Sequence, residues 1–240
     1  MIMIDKEPAD NAAPDYTFFT LQNDIYSYLR KKILAGALKP GERIVETEVA
    51  SNLGISKSPV REAMRKLEAD GLVIIKPRVG GFVVSLGEED IKDIYEVRQA
   101  VEGFAVRLLA RKGEQKERIV RDLNEILAQY EQAVKAGDFS QCNRIDTDLH
   151  LYLVKTSDNS RLIKMALTIY DQAYLLKNMA SDIPGRKRQS LREHREIVRA
   201  IETEDYVAAQ EALINHLEGL KENVLKKYRE ANNAFRKGGQ

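Results

Sequence analysis

The chain has 240 residues, 43% hydrophobic and 31% charged, a balance that suits one large or two modest domains with a buried core. Its 38 basic side chains stand against 37 acidic ones, so the net charge of +1 excludes a globally basic nucleic-acid binder and leaves room only for a local basic patch. The single cysteine, Cys142, excludes an internal disulfide and suits a reducing compartment.

Residues 1–19 are polar and read as a flexible tail, without the basic start and long apolar run of a secretory signal. No run of about eighteen apolar residues follows anywhere, so no membrane span is expected and the cytoplasm is the expected location.

From 20 to 86 the elements are short and punctuated by Gly and Pro. Leu21, Ile25, Leu29 and Ile33 recur four apart and predict a one-faced helix over 21–35. A short strand should follow, then a helix over 47–53 that stops at Gly54, a residue able to take the left-handed conformation of a tight turn. The next helix is expected to open with Ser58 as N-cap and Pro59 at its first position, and to bury Val60, Ala63, Met64 and Leu67. VIIKP and GFVV flank Arg78-Val79-Gly80-Gly81 as a β-hairpin. Two helices around a glycine turn, followed by a hairpin, make a winged helix-turn-helix.

With that apolar face turned inward, Arg61 and Arg65 share the outer face near the helix start, preceded by Ser56, Lys57 and Ser58. A helix entering the major groove reads bases through its N-terminal residues, while its cap and dipole favour phosphate. Arginine can bind guanine in bidentate fashion, whereas serine and lysine suit phosphate. Arg78 and a flexible Gly80-Gly81 tip would let the wing reach the neighbouring backbone. A solvated basic face is the plainer alternative, but a surface helix has no need of the order helix, turn, helix, wing.

The boundary is expected at Ser85 to Asp90, where the next helix can be capped. Beyond it Gly and Pro become scarce, and apolar periodicity runs through 89–111, 115–136, 138–157, 159–181, 189–202 and 205–229. Helices of this kind should pack as an antiparallel bundle over 87–230, leaving 231–240 as a second flexible tail. The fold class is thus mainly α: an N-terminal winged helix-turn-helix and a C-terminal all-α bundle.

A bundle core normally excludes histidine and aspartate. Yet His150 stacks one turn after Asp146 on a shared helix face, and His194 and His216 both lie in apolar stripes. The turn near Thr203 to Asp205 puts those two at matching distances, roughly 15–17 Å, along a helical hairpin. Any one of them alone would be a hydrogen-bonded core histidine. Together, three imidazoles and a carboxylate point to a divalent metal site, better suited to Zn²⁺ or Ni²⁺ than to Mn²⁺ or Fe²⁺. Asp148, on another face, is expected in solvent.

The stretch PGERIVETEVASNLGISKSPVREAMRKLEADGLVIIKPRVGGFVV resembles the DNA-binding domain of GntR-family bacterial transcription regulators. That resemblance implies operator contacts at Ser56, Lys57, Ser58, Arg61 and Gly80 or Gly81. The family often has arginine where this chain has Lys57, which exchanges a bidentate fork for a point charge. YEVRQAVEGFAVRLLA, DTDLHLYLVKTSDN and REHREIVRAIETEDYVAAQEALINHL resemble the FCD-type effector domain of the FadR subfamily. This implies that Asp146, His150, His194 and His216 hold the metal. It also matches Arg98 to the family's arginine on the first effector-domain helix, as a clamp for a carboxylate ligand or as a salt-bridge partner of Glu102.

The leading expectation is therefore a dimeric, ligand-responsive regulator on double-stranded, inverted-repeat operator DNA, with a small carboxylate effector at the metal. A pure metal sensor, a metal-dependent hydrolase with a DNA-binding head, and an architectural DNA-binding protein are the alternatives. No HExxH motif supports the hydrolase.

Overall fold

The computed structural model describes residues 18–179, 183 and 185–238. The N-terminal tail expected at 1–19 lies outside them except for Phe18 and Phe19, which open the first helix. The chain forms two compact units that divide between Ser85 and Leu86.

The first unit runs α1 (Phe18–Leu34), β1 (Arg43–Ile44), α2 (Glu46–Asn52), α3 (Lys57–Ala69), β2 (Val73–Lys76) and β3 (Gly80–Val83). Ile25, Leu29 and Ile33 of α1 are buried, as the four-residue spacing predicts, and α3 buries Val60, Ala63, Met64 and Leu67. Gly54 turns the chain between α2 and α3 at φ 64°. β3 lies between β1 and β2, antiparallel to both. The elements and their order are those of a winged helix-turn-helix.

Two local expectations need correction. α3 begins at Lys57, with Ser56 in the N-cap position, so Ser58 is a helical residue and not the cap. Pro59 is tolerated there because backbone N–H groups in a first turn have no intrahelical partner to lose. Gly81 does not share the wing tip with Gly80. It sits buried in β3, where a Cβ would come within 2.1 Å of Met64 Cε and 3.3 Å of Val73 Cγ1. Its missing side chain serves the packing of the wing on α3. The tip itself is Pro77 to Gly80, with Arg78 at φ 63° and Gly80 at φ 121°.

The second unit is all α: α4 (Glu88–Leu108), a 3-10 segment (Leu109–Gln115), α5 (Lys116–Ala136), α6 (Phe139–Thr156), α7 (Ser160–Met179), α8 (Arg186–Glu202) and α9 (Tyr206–Gly238). Asp90 caps α4 by accepting the Gly87 N–H at 2.7 Å, the local stop and start expected at this boundary. One core cluster joins these helices through residues such as Tyr95, Leu123, Leu149, Leu176, Ile197 and Leu213. The flexible tail expected from 231 is instead the end of α9, which continues to Gly238. Between Asn223 and Lys237 there is neither Gly nor Pro to stop a helix, so solvent exposure alone does not end it.

Candidate metal and effector centre

α6, α8 and α9 bring four buried side chains to one point. His150 Nε2 lies 3.3 Å from His216 Nε2, and His194 Nε2 lies 3.2 Å from the same atom. Asp146 Oδ1 is 3.3 Å from His194 Nε2 and 4.0 Å from His216 Nε2, while Oδ2 is 3.9 Å from His150 Nε2. One donor atom from each of Asp146, His150, His194 and His216 falls within 4.8 Å of all the others. The hairpin of α8 and α9 does bring His194 opposite His216. Asp148 is exposed, as its position on another helix face requires.

Two of the imidazoles are oriented from behind by carboxylates. His150 Nδ1 is 2.6 Å from Glu102 Oε2, and His216 Nδ1 is 2.6 Å from Glu193 Oε2. Burial by itself would raise the Glu102 carboxyl, but Arg98 and His150 outweigh it and hold it at about 2. Burial also opposes ionisation of Glu193, which hydrogen bonds from His216 and Arg186 bring to about 2. An ionised carboxylate only accepts, so Nδ1 of each imidazole carries the proton and each Nε2 lone pair faces the centre. Each glutamate is in turn held by an arginine. Arg98 Nε donates to Glu102 Oε1 at 2.6 Å, and both terminal nitrogens of Arg186 donate to Glu193 Oε2 at 2.9 Å. His194 packs edge-on against Tyr130, with ring centroids 5.5 Å apart.

Burial alone would raise Asp146 too. The Lys177 ammonium, a hydrogen bond from His194 and the nearby imidazoles instead hold it well below the usual carboxylate range. Lys177, on α7, is 5% exposed and donates to Asp146 Oδ2, with Thr147 Oγ1 3.3 Å away. Burial pushes Lys177 down to about 8, against the pull of Asp146. The Nε2 lone pairs of His150 and His216 converge beside Asp146, and His194 Nε2, which here donates to Asp146, would join them once its proton moved to the unpartnered Nδ1, a donor set that fits a borderline divalent ion.

Arg98 makes one of its two expected contacts, the pair with Glu102. The salt bridge to Glu102 is present, yet Nη1 and Nη2 are buried with no hydrogen-bond partner among the described residues. The guanidinium carbon lies 5.4 Å from the Tyr95 ring centroid and 5.6 Å from that of Tyr170. Tyr95 Oη is likewise buried without a partner. Such groups lose bonds to water on burial and normally find replacements, so this corner holds donors that an acceptor could satisfy.

In the winged unit Ser56, Lys57, Ser58, Arg61, Arg65 and Arg78 are all exposed. Arg61 Nη2 bonds Glu46 Oε2 at 3.1 Å and Arg65 Nη1 bonds Glu62 Oε1 at 3.0 Å. Arg43, which sequence reasoning passed over, donates from Nη2 to the Val79 carbonyl and braces the wing tip. Glu193, Arg186 and Lys177 were passed over as well. Lys177 had a visible signal, for it completes the stripe Ala166, Tyr170, Ala173 at the spacing of a buried helix face.

Comparison with known proteins agrees with both units. The family model "Bacterial regulatory proteins, gntR family" matches residues 21–83, and the model "FCD domain" matches 93–219. The chain is 33% identical over 208 residues to the HTH-type transcriptional regulator YdhC of Bacillus subtilis, covering 86% of this chain and 89% of that one. It is 26% identical over 201 residues to the gluconate operon transcriptional repressor of the same organism, covering 82% of each. The solved structure of E. coli McbR/YncC shares the fold, with a TM-score of 0.72 at 22% identity over 88% of this chain and 98% of that one. The chain belongs to the GntR family of bacterial transcriptional regulators, with an FCD domain as its second unit. It is a DNA-binding regulator and not the metal-dependent hydrolase kept as an alternative.

The electrostatics of the centre set a pH dependence. Burial lowers His150, and burial together with the neighbouring imidazoles lowers His216 well below 6.5. As pH falls through 6.5 the unfolded chain takes up protons that the folded one refuses, so acid favours unfolding. Glu102, at about 2 against an ordinary 4.5, contributes stability that is present above 4.5 and lost as pH falls through about 2. Chelator-treated protein should therefore melt at steadily lower temperature from about pH 7.5 to about pH 5. A flat or rising midpoint, followed by circular dichroism, would contradict neutral buried imidazoles.

Proposed function

We propose that the chain acts in the cytoplasm as a homodimer on inverted-repeat operator DNA, and that a small organic acid bound in the FCD unit adjusts its hold on that operator. The reading unit would be residues 20–86 and the effector unit 87–230. Ser56, Lys57 and Ser58 meet phosphates at the start of α3, Arg61 and Arg65 reach base edges, and Arg78 and Gly80 carry the wing to the neighbouring backbone. No helix among the described residues is long and apolar enough to cross a membrane, which agrees with a site of action on DNA.

The observation that carries the effector reading is Arg98: fully buried, pinned by Glu102, with Nη1 and Nη2 unpartnered beside the four converging donors. A planar fork of this kind matches a carboxylate. Asp146, His150, His194 and His216 would hold a Zn²⁺ or Ni²⁺ ion, which when bound supplies a Lewis-acidic anchor for another oxygen of the same acid. Ligand response then requires a difference in affinity between two arrangements of the dimer.

Arg61→Ala should weaken operator binding by about 1–3 kcal/mol and relax base preference, as expected for loss of a bidentate base contact. Wild-type affinity in an electrophoretic shift assay would rule out a reading role for Arg61. In a thermal-shift screen of small mono-, di- and tricarboxylic acids, at least one acid should stabilise the wild type, by about 2.7 kcal/mol at a hundredfold its dissociation constant. Arg98→Ala should lose that stabilisation and the accompanying release of operator while keeping operator affinity. An Arg98→Ala protein that responds at the wild-type effector concentration would reduce Arg98 to a salt-bridge residue.

A further inference from the structure

Lys177 is not one of the four converging donors, yet it holds one of them. It is 5% exposed, it comes from α7, which contributes none of the four donors, and its ammonium takes Oδ2 of Asp146. The other oxygen, Oδ1, faces the imidazoles of His194 and His216 at 3.3 and 4.0 Å. The two oxygens of one carboxylate thus differ: Oδ2 is held by the ammonium, with His150 Nε2 3.9 Å away, whereas Oδ1 faces His194 and His216.

The geometry points to Lys177 as a positioning residue that restricts Asp146 to a single donor oxygen, so that the centre keeps places open for an exogenous anion and holds its ion loosely enough to exchange. This inference rests on the metal reading of the four-donor cluster. Two effects of the lysine act in one direction. By occupying Oδ2 it prevents Asp146 from chelating with both oxygens. As a buried cation beside a dication it also raises the free energy of the loaded site, since like charges at low effective dielectric repel strongly. A lysine that merely filled space or neutralised Asp146 for folding would do the opposite on removal: metal binding would weaken as the site loosened.

Cobalt(II), with acetate as the anion, is the probe. The wild-type chain, stripped and reloaded, should take up one cobalt and change its visible d–d bands when acetate is added. Lys177→Met should bind cobalt about tenfold more tightly in chelator competition. Its bands should respond less to acetate, because the freed Oδ2 takes up a place that acetate would use. Lys177→Gln keeps an amide that can donate to Oδ2 but removes the charge, and serves if Lys177→Met does not fold. It should also tighten cobalt binding while keeping the wild-type acetate response. If the folded variants bind cobalt with wild-type or weaker affinity, or if folded Lys177→Met keeps the full acetate response, the positioning role is overturned. If the wild type takes up no cobalt, the metal reading itself fails, and this inference with it.

Discussion

Everything at the buried centre of the FCD unit depends on keeping the Asp146 carboxylate ionised inside a helical core. A bare buried carboxylate would take up a proton instead of staying charged, because desolvation disfavours the anion far more than a fold of marginal stability can absorb. This chain meets the constraint with Lys177 on one oxygen and imidazoles on the other. Each imidazole so placed needs its own orientation, and for His150 and His216 that comes from Glu102 and Glu193. Those are further buried or half-buried acids, and Arg98 and Arg186 answer them. The centre is thus a chain of partners in which each buried carboxylate is held by a cation and by an imidazole. The inward-facing Nε2 lone pairs of His150 and His216 are a consequence of this arrangement, and a divalent ion is a species they fit.

The same reasoning explains which parts of the molecule were legible in the sequence. Helices with a clean apolar stripe, such as α3 and α5, are readable because burial of one face leaves a period in the chain. His194 and His216 were readable as a pair because a helical hairpin fixes where equal distances from its turn must meet. Glu193 and Arg186 were not. They lie at the edge of the α8 stripe, where a charged residue is ordinarily solvated, and only the placement of α9 beside α8 turns them inward. Helix ends were misjudged where the rule concerned side chains but the backbone decided. Ser58 is a good cap by type, yet the helix starts at Lys57, and the polar end of α9 stays helical because nothing in it breaks a helix.

The winged unit shows how little net charge has to do with nucleic-acid binding. The exposed guanidinium of Arg61 is held by Glu46, and that of Arg65 by Glu62. The two arginines of α3 are therefore paired in the DNA-free protein, and exposed pairs of this kind are weak enough to be exchanged for phosphate or base. Glycine does two separate jobs in the wing. Gly80 supplies a backbone conformation at φ 121°, and Gly81 supplies the space that Met64 of α3 fills. The sequence presents both simply as adjacent glycines, and only the strand register tells them apart.

On the reading proposed above, the buried donors of the FCD unit hold a divalent ion that the winged unit does not need in order to bind DNA. Elemental analysis of protein purified without chelators, run beside His216→Ala and paired with operator binding, tests it most directly. The account predicts one zinc or nickel per wild-type chain, loss of most of that metal in His216→Ala, and operator binding retained by both in the absence of effector. Wild-type protein carrying no stoichiometric divalent metal, and taking up none on addition, would contradict it and return Asp146, His150, His194 and His216 to the role of a polar core.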